Sequence, residues 1–219
     1  MERQIAKCMI VACLLLLAGL AQGTSITVST FADPAVDSTT PLFNVNSTAN
    51  TITGGWADSR TGLNMQVAGG IGTPYVDAWF TINTTESTTS APLTIGDPQS
   101  MWGMYFGKTG AGVITFYKNG TTNKILKIAF DKAYVTPTGF GVSKTLDPTA
   151  NITITDYTGS SLFGTSGVSF SFGFVNIDST ATGYNATSSF SLSAIPEPAT
   201  IALLSIGTLS LIRKRKVSI

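Results

Sequence analysis

Val168-Ser169-Phe170-Ser171-Phe172-Gly173-Phe174 carries the strongest secondary-structure signal in this chain. Apolar and small polar residues alternate strictly along it, and such a period of two is typical of a strand with one face in a core. The same alternation recurs in other short runs, at 76–82, 151–155 and 189–193. Weaker runs lie at 25–30, 50–53, 63–67, 102–106 and 113–117.

Turn signals separate these runs. Lys118-Asn119-Gly120-Thr121 predicts a type I′ hairpin turn that joins 113–117 to 124–130, because Asn-Gly tolerates positive φ angles. Asp33-Pro34, Asp97-Pro98 and Asp147-Pro148 are expected to begin loops. No helical period is evident between Thr24 and Ala194. We therefore predict an all-β domain of about nine to twelve strands, a β-sandwich of jelly-roll-like type. A barrel or a β-helix is an alternative, although no regular repeat supports the latter.

The N-terminal segment has the order of a secretory signal peptide. Arg3 and Lys7 precede an apolar run from Cys8 to Leu20, and small residues follow before a predicted cut at Thr24. We assign residues 1–23 to this signal peptide and residues 24–194 to the β-sandwich domain. Ile10-Val11-Ala12-Cys13 loosely fits a lipobox and leaves a lipoprotein signal as an alternative.

Residues 195–219 combine three features. The motif at 195–200 contains Pro196, Glu197 and Pro198, an apolar helix is predicted at 199–212, and a basic cluster follows. That helix would span about 21 Å, against a hydrocarbon core of about 30 Å, so it is a short transmembrane helix that snorkelling side chains extend. Basic residues next to an apolar helix stay cytoplasmic, which would leave the domain outside. The membrane-stop cluster consists of Arg213, Lys214, Arg215 and Lys216.

Together these features resemble the PEP-CTERM sorting signal, also called the ice-binding protein C-terminal domain. The resemblance covers only Ile195 to Lys216. It implies an exported protein of a Gram-negative-type bacterium, first anchored in the inner membrane. An exosortase-type membrane enzyme would then read the tail and send the protein to the cell surface or the extracellular matrix. Proteins of this family are associated with extracellular polysaccharide.

Composition excludes several kinds of chemistry. The chain has no histidine, and its two cysteines, Cys8 and Cys13, lie in the predicted signal peptide. Histidine- and thiol-based catalysis are therefore excluded, as are disulfides in the mature domain. Seven basic residues oppose ten carboxylates between Thr24 and Ala194. Nucleic acid is not expected as a partner, because phosphate binding needs a concentrated basic face.

Carboxylates are the remaining candidates for catalysis or metal binding. A glycosidase needs two of them about 5 to 9 Å apart, and loop aspartates with carbonyls can hold a structural calcium ion. Glu86 lies in the polar stretch 84–89, which we expect to be a flexible loop. Most aspartates begin turns or end strands, so we expect neither an enzyme nor a required cofactor. The carboxylates are Asp33, Asp37, Asp58, Asp77, Glu86, Asp97, Asp131, Asp147, Asp156 and Asp178.

Trp79 is the candidate for ligand binding. If Phe80 and Ile82 point into the core, alternation places Tyr75, Asp77, Trp79 and Thr81 on the outer face. A ring beside a carboxylate suits a polysaccharide, since sugars stack on aromatic rings and hydrogen-bond to polar groups. The alternative is a Trp79 packed under a loop or against the second sheet. The leading functional prediction is a non-enzymatic envelope or matrix protein. A carbohydrate-binding module and an ice- or surface-adhesion protein are the alternatives.

Overall fold

The protein forms fourteen β-strands. The structure is a computed structural model, and it describes residues 26–31, 41–56, 63–67, 75–101, 104–158 and 166–195. Within these ranges there is no helix. The strands are β1 (Ile26–Phe31), β2 (Phe43–Asn46), β3 (Thr51–Trp56), β4 (Leu63–Val67), β5 (Tyr75–Asn83), β6 (Leu93–Met101), β7 (Met104–Thr109), β8 (Gly112–Tyr117), β9 (Lys124–Phe130), β10 (Ala133–Thr136), β11 (Gly139–Ser143), β12 (Ile152–Asp156), β13 (Ser166–Thr180) and β14 (Gly183–Ile195).

Alternation along the chain becomes alternation across the sheet. In β13, Phe170 and Phe172 are buried, whereas Ser171 faces solvent. β14 pairs with β13 in antiparallel register, so that Phe190 lies opposite Phe172 and Ser191 opposite Ser171. In this part of the hairpin one face is therefore apolar and the other carries serine hydroxyls, as the sequence predicts.

All strand pairings are antiparallel, and they close into a ring of hydrogen bonds that is not a clean barrel. The order is β12-β9-β8-β5-β4-β1-β14-β13-β11-β10-β7-β6-β3-β2, with additional pairings of β5 with β3 and of β14 with β2. The all-β prediction is confirmed, and the arrangement is sandwich-like. The number of strands was predicted too low. Strands β2, β6, β10 and β11 were missed because each is short or interrupted by glycine or proline.

Phenylalanine rings fill the space between two layers of the sheet. Phe80 on β5 and Phe116 on β8 contact Phe172 and Phe190 on β13 and β14, with ring centroids 4.9 to 5.5 Å apart. Burying each such ring stabilises the fold by about 1.5 to 3 kcal/mol. The strands β5, β8 and β9 thus present one outer surface of the molecule, and β14, β13 and β11 present the opposite one.

Two local predictions need correction. Asp97-Pro98 does not begin a loop but lies inside β6, where the register with β7 shifts and Asp97 has a φ of 47°. A proline fits within a strand at such a bulge because the ladder is already interrupted there. The turn after β8 is not type I′, since Gly120 has a positive φ and Asn119 does not. Asp33-Pro34 lies outside the described residues.

The first and last strands meet at one end of the molecule. Ile26, the first residue of β1, pairs with Ala194, the penultimate residue of β14. The chain therefore enters and leaves the described domain at neighbouring positions.

Candidate functional site

Trp79 is half-buried on the outer face of β5. Its ring stacks on that of Tyr117, with centroids 4.2 Å apart and planes at 17°. The two residues are direct cross-strand partners of β5 and β8. The indole N–H donates a hydrogen bond to the carbonyl of Thr121 at 3.2 Å. Trp79 is thus neither a core residue nor a fully exposed ring. Tyr117 covers one face of the indole, and the indole N–H is hydrogen-bonded to the turn after β8.

The other residues of the predicted platform are described only in part. Tyr75 and Asp77 belong to β5 by their backbone, but their side chains lie outside the part that the structure describes. Thr81 is on the outer face, as alternation predicts, yet it is only 4% exposed. Its hydroxyl donates to the carbonyl of Ser87 at 2.7 Å. Alternation thus identifies the face but not whether solvent reaches it.

A loop of residues 84–92, here called the covering loop, lies over this outer face. The hydroxyl of Tyr117 donates to the carbonyl of Ser87 at 3.0 Å, which leaves Tyr117 only 1% exposed. Glu86 forms ion pairs with Lys124 and Lys127 on β9. Hydrogen bonds from Lys124 and then Lys127 lower the pKa of Glu86. The stretch that we expect to be a flexible polar loop thus makes contacts with β5, β8 and β9.

A second surface, which sequence reasoning missed, lies on the opposite side of the molecule. We call it the β11 groove; its volume is about 430 Å³. Its floor is the backbone of β11, and it is lined by Tyr134, Thr136, Thr138, Gly139, Phe140, Gly141, Val142, Ser143, Leu146, Asp147, Ser169, Phe170 and Ser171. The available signal was Gly139-Phe140-Gly141-Val142, in which apolar residues alternate with glycine, so that one face of the strand has no side chains.

Asp147 organises one wall of this groove. Its Oδ2 accepts hydrogen bonds from the hydroxyl of Tyr134 and from Lys132 Nζ, both at 2.7 Å. Its Oδ1 accepts from the hydroxyl of Thr149 at 2.6 Å and from the Thr149 amide at 3.1 Å. The Lys132 ammonium, followed by Thr149 and Tyr134, holds the pKa of Asp147 well below its usual range. Asp147-Pro148 lies inside the loop that follows β11 and does not begin it, because β11 ends at Ser143. A turn does start at Asp147, since the amide of Ala150 donates to its carbonyl, and the carboxylate of Asp147 is fully engaged.

Two findings concern metal binding and membrane insertion, and both refer to the described ranges only. No group of three or more His, Cys, Asp or Glu side chains in them is placed to hold a metal ion. None of the described segments is a helix that could cross a bilayer. The sorting motif Pro196, Glu197 and Pro198 and the basic cluster 213–216 lie outside the described residues, as does the predicted signal peptide.

Comparison with known proteins adds no relative: no family model matches the chain, and no curated protein or solved structure is similar to it.

Proposed function

We propose that this chain is an exported, non-catalytic protein of the cell envelope or extracellular matrix, which an exosortase-type enzyme sorts to the surface. The observation that carries the proposal is the three-part tail at 195–219. The described fold supports this boundary. β14 extends to Ile195, so the described domain reaches the residue directly before Pro196.

The positions of the chain ends suit a membrane-held precursor. β1 contains Ile26, two residues after Thr24, and Ile26 pairs with Ala194 near the end of β14. The predicted signal peptide and the predicted membrane helix at 199–212 would therefore attach at one end of the domain. While the helix holds the precursor in the inner membrane, the opposite end would project away from it.

Three of the described carboxylates are engaged with other side chains, which supports a non-catalytic role. Asp147 and Glu86 are held in ion pairs with lysines, and Asp131 accepts hydrogen bonds from Asn151. With no histidine and no cysteine after residue 23, few groups remain for acid–base or nucleophilic catalysis. We also propose a jelly-roll-like arrangement as the finer description of the sandwich, on the ground of its all-antiparallel, non-sequential pairings.

Mass spectrometry of the protein recovered from native cells tests the sorting proposal. We expect the mature pool to lack the intact C-terminus at Ile219. Replacing Pro196, Glu197 and Pro198 with alanine should hold the protein in the inner membrane. The matched control is Ser218→Ala, which lies beyond the motif, the predicted helix and the basic cluster and should be sorted normally. An intact Ile219 in the surface-located wild type would refute the proposal.

Binding of extracellular polysaccharide is the second candidate function. The half-exposed ring of Trp79, with Tyr75 and Asp77 on the same strand, is the surface that favours it. Adhesion to ice or another surface has less support. The exposed part of the β13–β14 hairpin carries serines and, near its turn, Val175 and Ile177, without a regular array of threonines. Some of the serines hydrogen-bond to each other, as Ser169 and Ser193 do at 2.6 Å.

A further inference from the structure

The β11 groove is open because glycines form its floor. A Cβ atom added at Gly141 would lie 2.3 Å from the carbonyl oxygen of Phe170, and one at Gly139 would lie 2.3 Å from that of Phe172. Strands β11 and β13 approach each other too closely for side chains at these positions. Neighbouring side chains therefore border a strip of bare backbone, and the groove is a consequence of strand packing.

Tyr134 stands at the edge of this strip on β10. It pairs directly with Gly141, and 40% of its surface is exposed. Its hydroxyl is fixed by Asp147, which the Lys132 ion pair and Thr149 fix in turn. The ring is thus oriented before any ligand arrives, so binding to it would cost little side-chain entropy.

The chemistry of the lining defines the class of ligand. The carboxylate of Asp147 is the one charged group among the described lining residues, and Lys132 neutralises it. Leu146, 88% exposed, adds an apolar side chain at the same wall. Ser171 presents an exposed hydroxyl on the strip. The hydroxyls of Ser169 and Thr136 hydrogen-bond to Ser193 and to the carbonyl of Gly139, and each oxygen can still accept a further hydrogen bond. An uncharged molecule that has both apolar C–H faces and hydroxyls matches this combination.

A peptide strand does not fit the groove. Peptides that join a sheet pair with a free strand edge, but β11 is hydrogen-bonded to β10 on one side and to β13 on the other. A polyanion is equally unsuited, because the lining residues that the structure describes offer no unpaired cation.

We propose that the β11 groove binds a neutral polysaccharide chain, with a sugar ring stacked on Tyr134 and its hydroxyls on Ser169, Ser171 and Thr136. The proposal goes beyond surface sorting and does not depend on it. It shares the class of ligand with the Trp79 surface but lies on the opposite side of the molecule.

Affinity gel electrophoresis of the full chain in mild detergent tests the proposal. The probes are dextran, laminarin, xylan and galactomannan, with alginate as the anionic comparison. We expect at least one neutral polysaccharide to retard the wild type. Tyr134→Ala should weaken that binding about tenfold, the scale of one lost aromatic contact. Ser171→Trp, which adds a ring at an exposed position of the groove, should block binding.

Three further variants separate binding from folding. Leu146→Ser should weaken binding severalfold with an unchanged melting temperature, because its side chain is almost fully exposed. Tyr134→Phe keeps the ring and should retain most of the binding. Tyr157→Ala removes an exposed tyrosine outside the groove and should bind like the wild type.

Several outcomes would contradict the proposal that the β11 groove binds a neutral polysaccharide. They are a wild type that no neutral polysaccharide retards, retardation by alginate alone, and wild-type binding by both Tyr134→Ala and Ser171→Trp. Loss of binding in Trp79→Ala with retention in Tyr134→Ala would also overturn it and assign the ligand to the Trp79 surface. None of these results bears on tail processing, which is measured separately in native cells.

Discussion

Trp79 illustrates how a single residue combines structural and surface roles. Its ring is stacked on Tyr117 and its indole N–H is satisfied by Thr121, while part of its surface remains in solvent. Such a residue contributes to stability through one ring face and can contact a ligand only through what remains. Its contribution to the free energy of unfolding should therefore lie between that of a surface residue without contacts and that of a core residue.

We expect Trp79→Ala to lower the free energy of unfolding by about 1 to 2 kcal/mol, from lost stacking worth about 0.5 to 1.5 kcal/mol and lost partial burial. Urea denaturation of the wild type, Trp79→Ala and Trp79→Phe measures this. Trp79→Phe keeps a ring on Tyr117 and should lose less. A loss above about 3 kcal/mol, typical of core aromatic residues, would contradict the half-buried placement. A polysaccharide site at Trp79 additionally predicts weaker binding by the same variant.

At the scale of elements, the backbone conformation of each turn fixes how two neighbouring strands are connected. The loop between β8 and β9 is closed by hydrogen bonds from the amide of Lys118 to the carbonyl of Asn123 and from the amide of Thr121 to the carbonyl of Lys118. Gly120 has a φ of 65° there, and no atom of the described residues lies within 4 Å of the position that a Cβ would take. Its requirement for glycine is thus conformational, and space plays no part.

Gly120→Ala should therefore destabilise the domain by about 1 to 2 kcal/mol, the cost of a left-handed conformation for a residue with a Cβ atom. Gly110→Ala is the matched control: a Cβ added at Gly110 would also meet no described atom within 4 Å, but the φ of Gly110 is not in the left-handed region. That change should be neutral or slightly stabilising, because alanine restricts the unfolded chain. Equal thermal shifts in the two variants would contradict the assigned backbone conformation.

At the scale of the whole molecule, closure depends on the pairing of β14 with strands far away in the sequence. β14 pairs with β13, with β1 through its last residues, and with β2 through its first. The inner face of β14 is buried in the core and consists of Phe190, Leu192 and Ala194 in this part of the strand. The end of β14 is thus essential to the sheet, whereas Pro196 and the residues after it follow the strand in the sequence.

Removal of residues 196–219 should leave the melting temperature of the domain unchanged. Removal of residues 190–219 should prevent folding. Loss of Phe190 and Leu192 alone costs about 5 to 10 kcal/mol, which is comparable to the whole stability of a typical domain. Calorimetry of the two truncated chains beside the full chain distinguishes them. A cooperative transition in the shorter one would show that β14 is dispensable for closure.

The alternation in Val168–Phe174 and its counterparts was sufficient to predict the all-β class, the inward positions and the apolar face of each strong strand. This worked because the period of two is a local property, set by the pleat of a single strand. The sequence also contains no histidine, and no cysteine after residue 23, so histidine- and thiol-based chemistry is excluded from residues 24–219 by composition alone.

The pairing of the strands, and the exposure of the residues on their outer faces, follow from long-range contacts that no local pattern encodes. Thr81 and Tyr117 are outward by alternation, but the covering loop buries them through contacts with Ser87. Tyr134 became a candidate because Gly141 lies beside it on β11 and Asp147 lies within reach of its hydroxyl. These relations join residues brought together by long-range pairing, and a local pattern carries no information about the partner that a strand will meet.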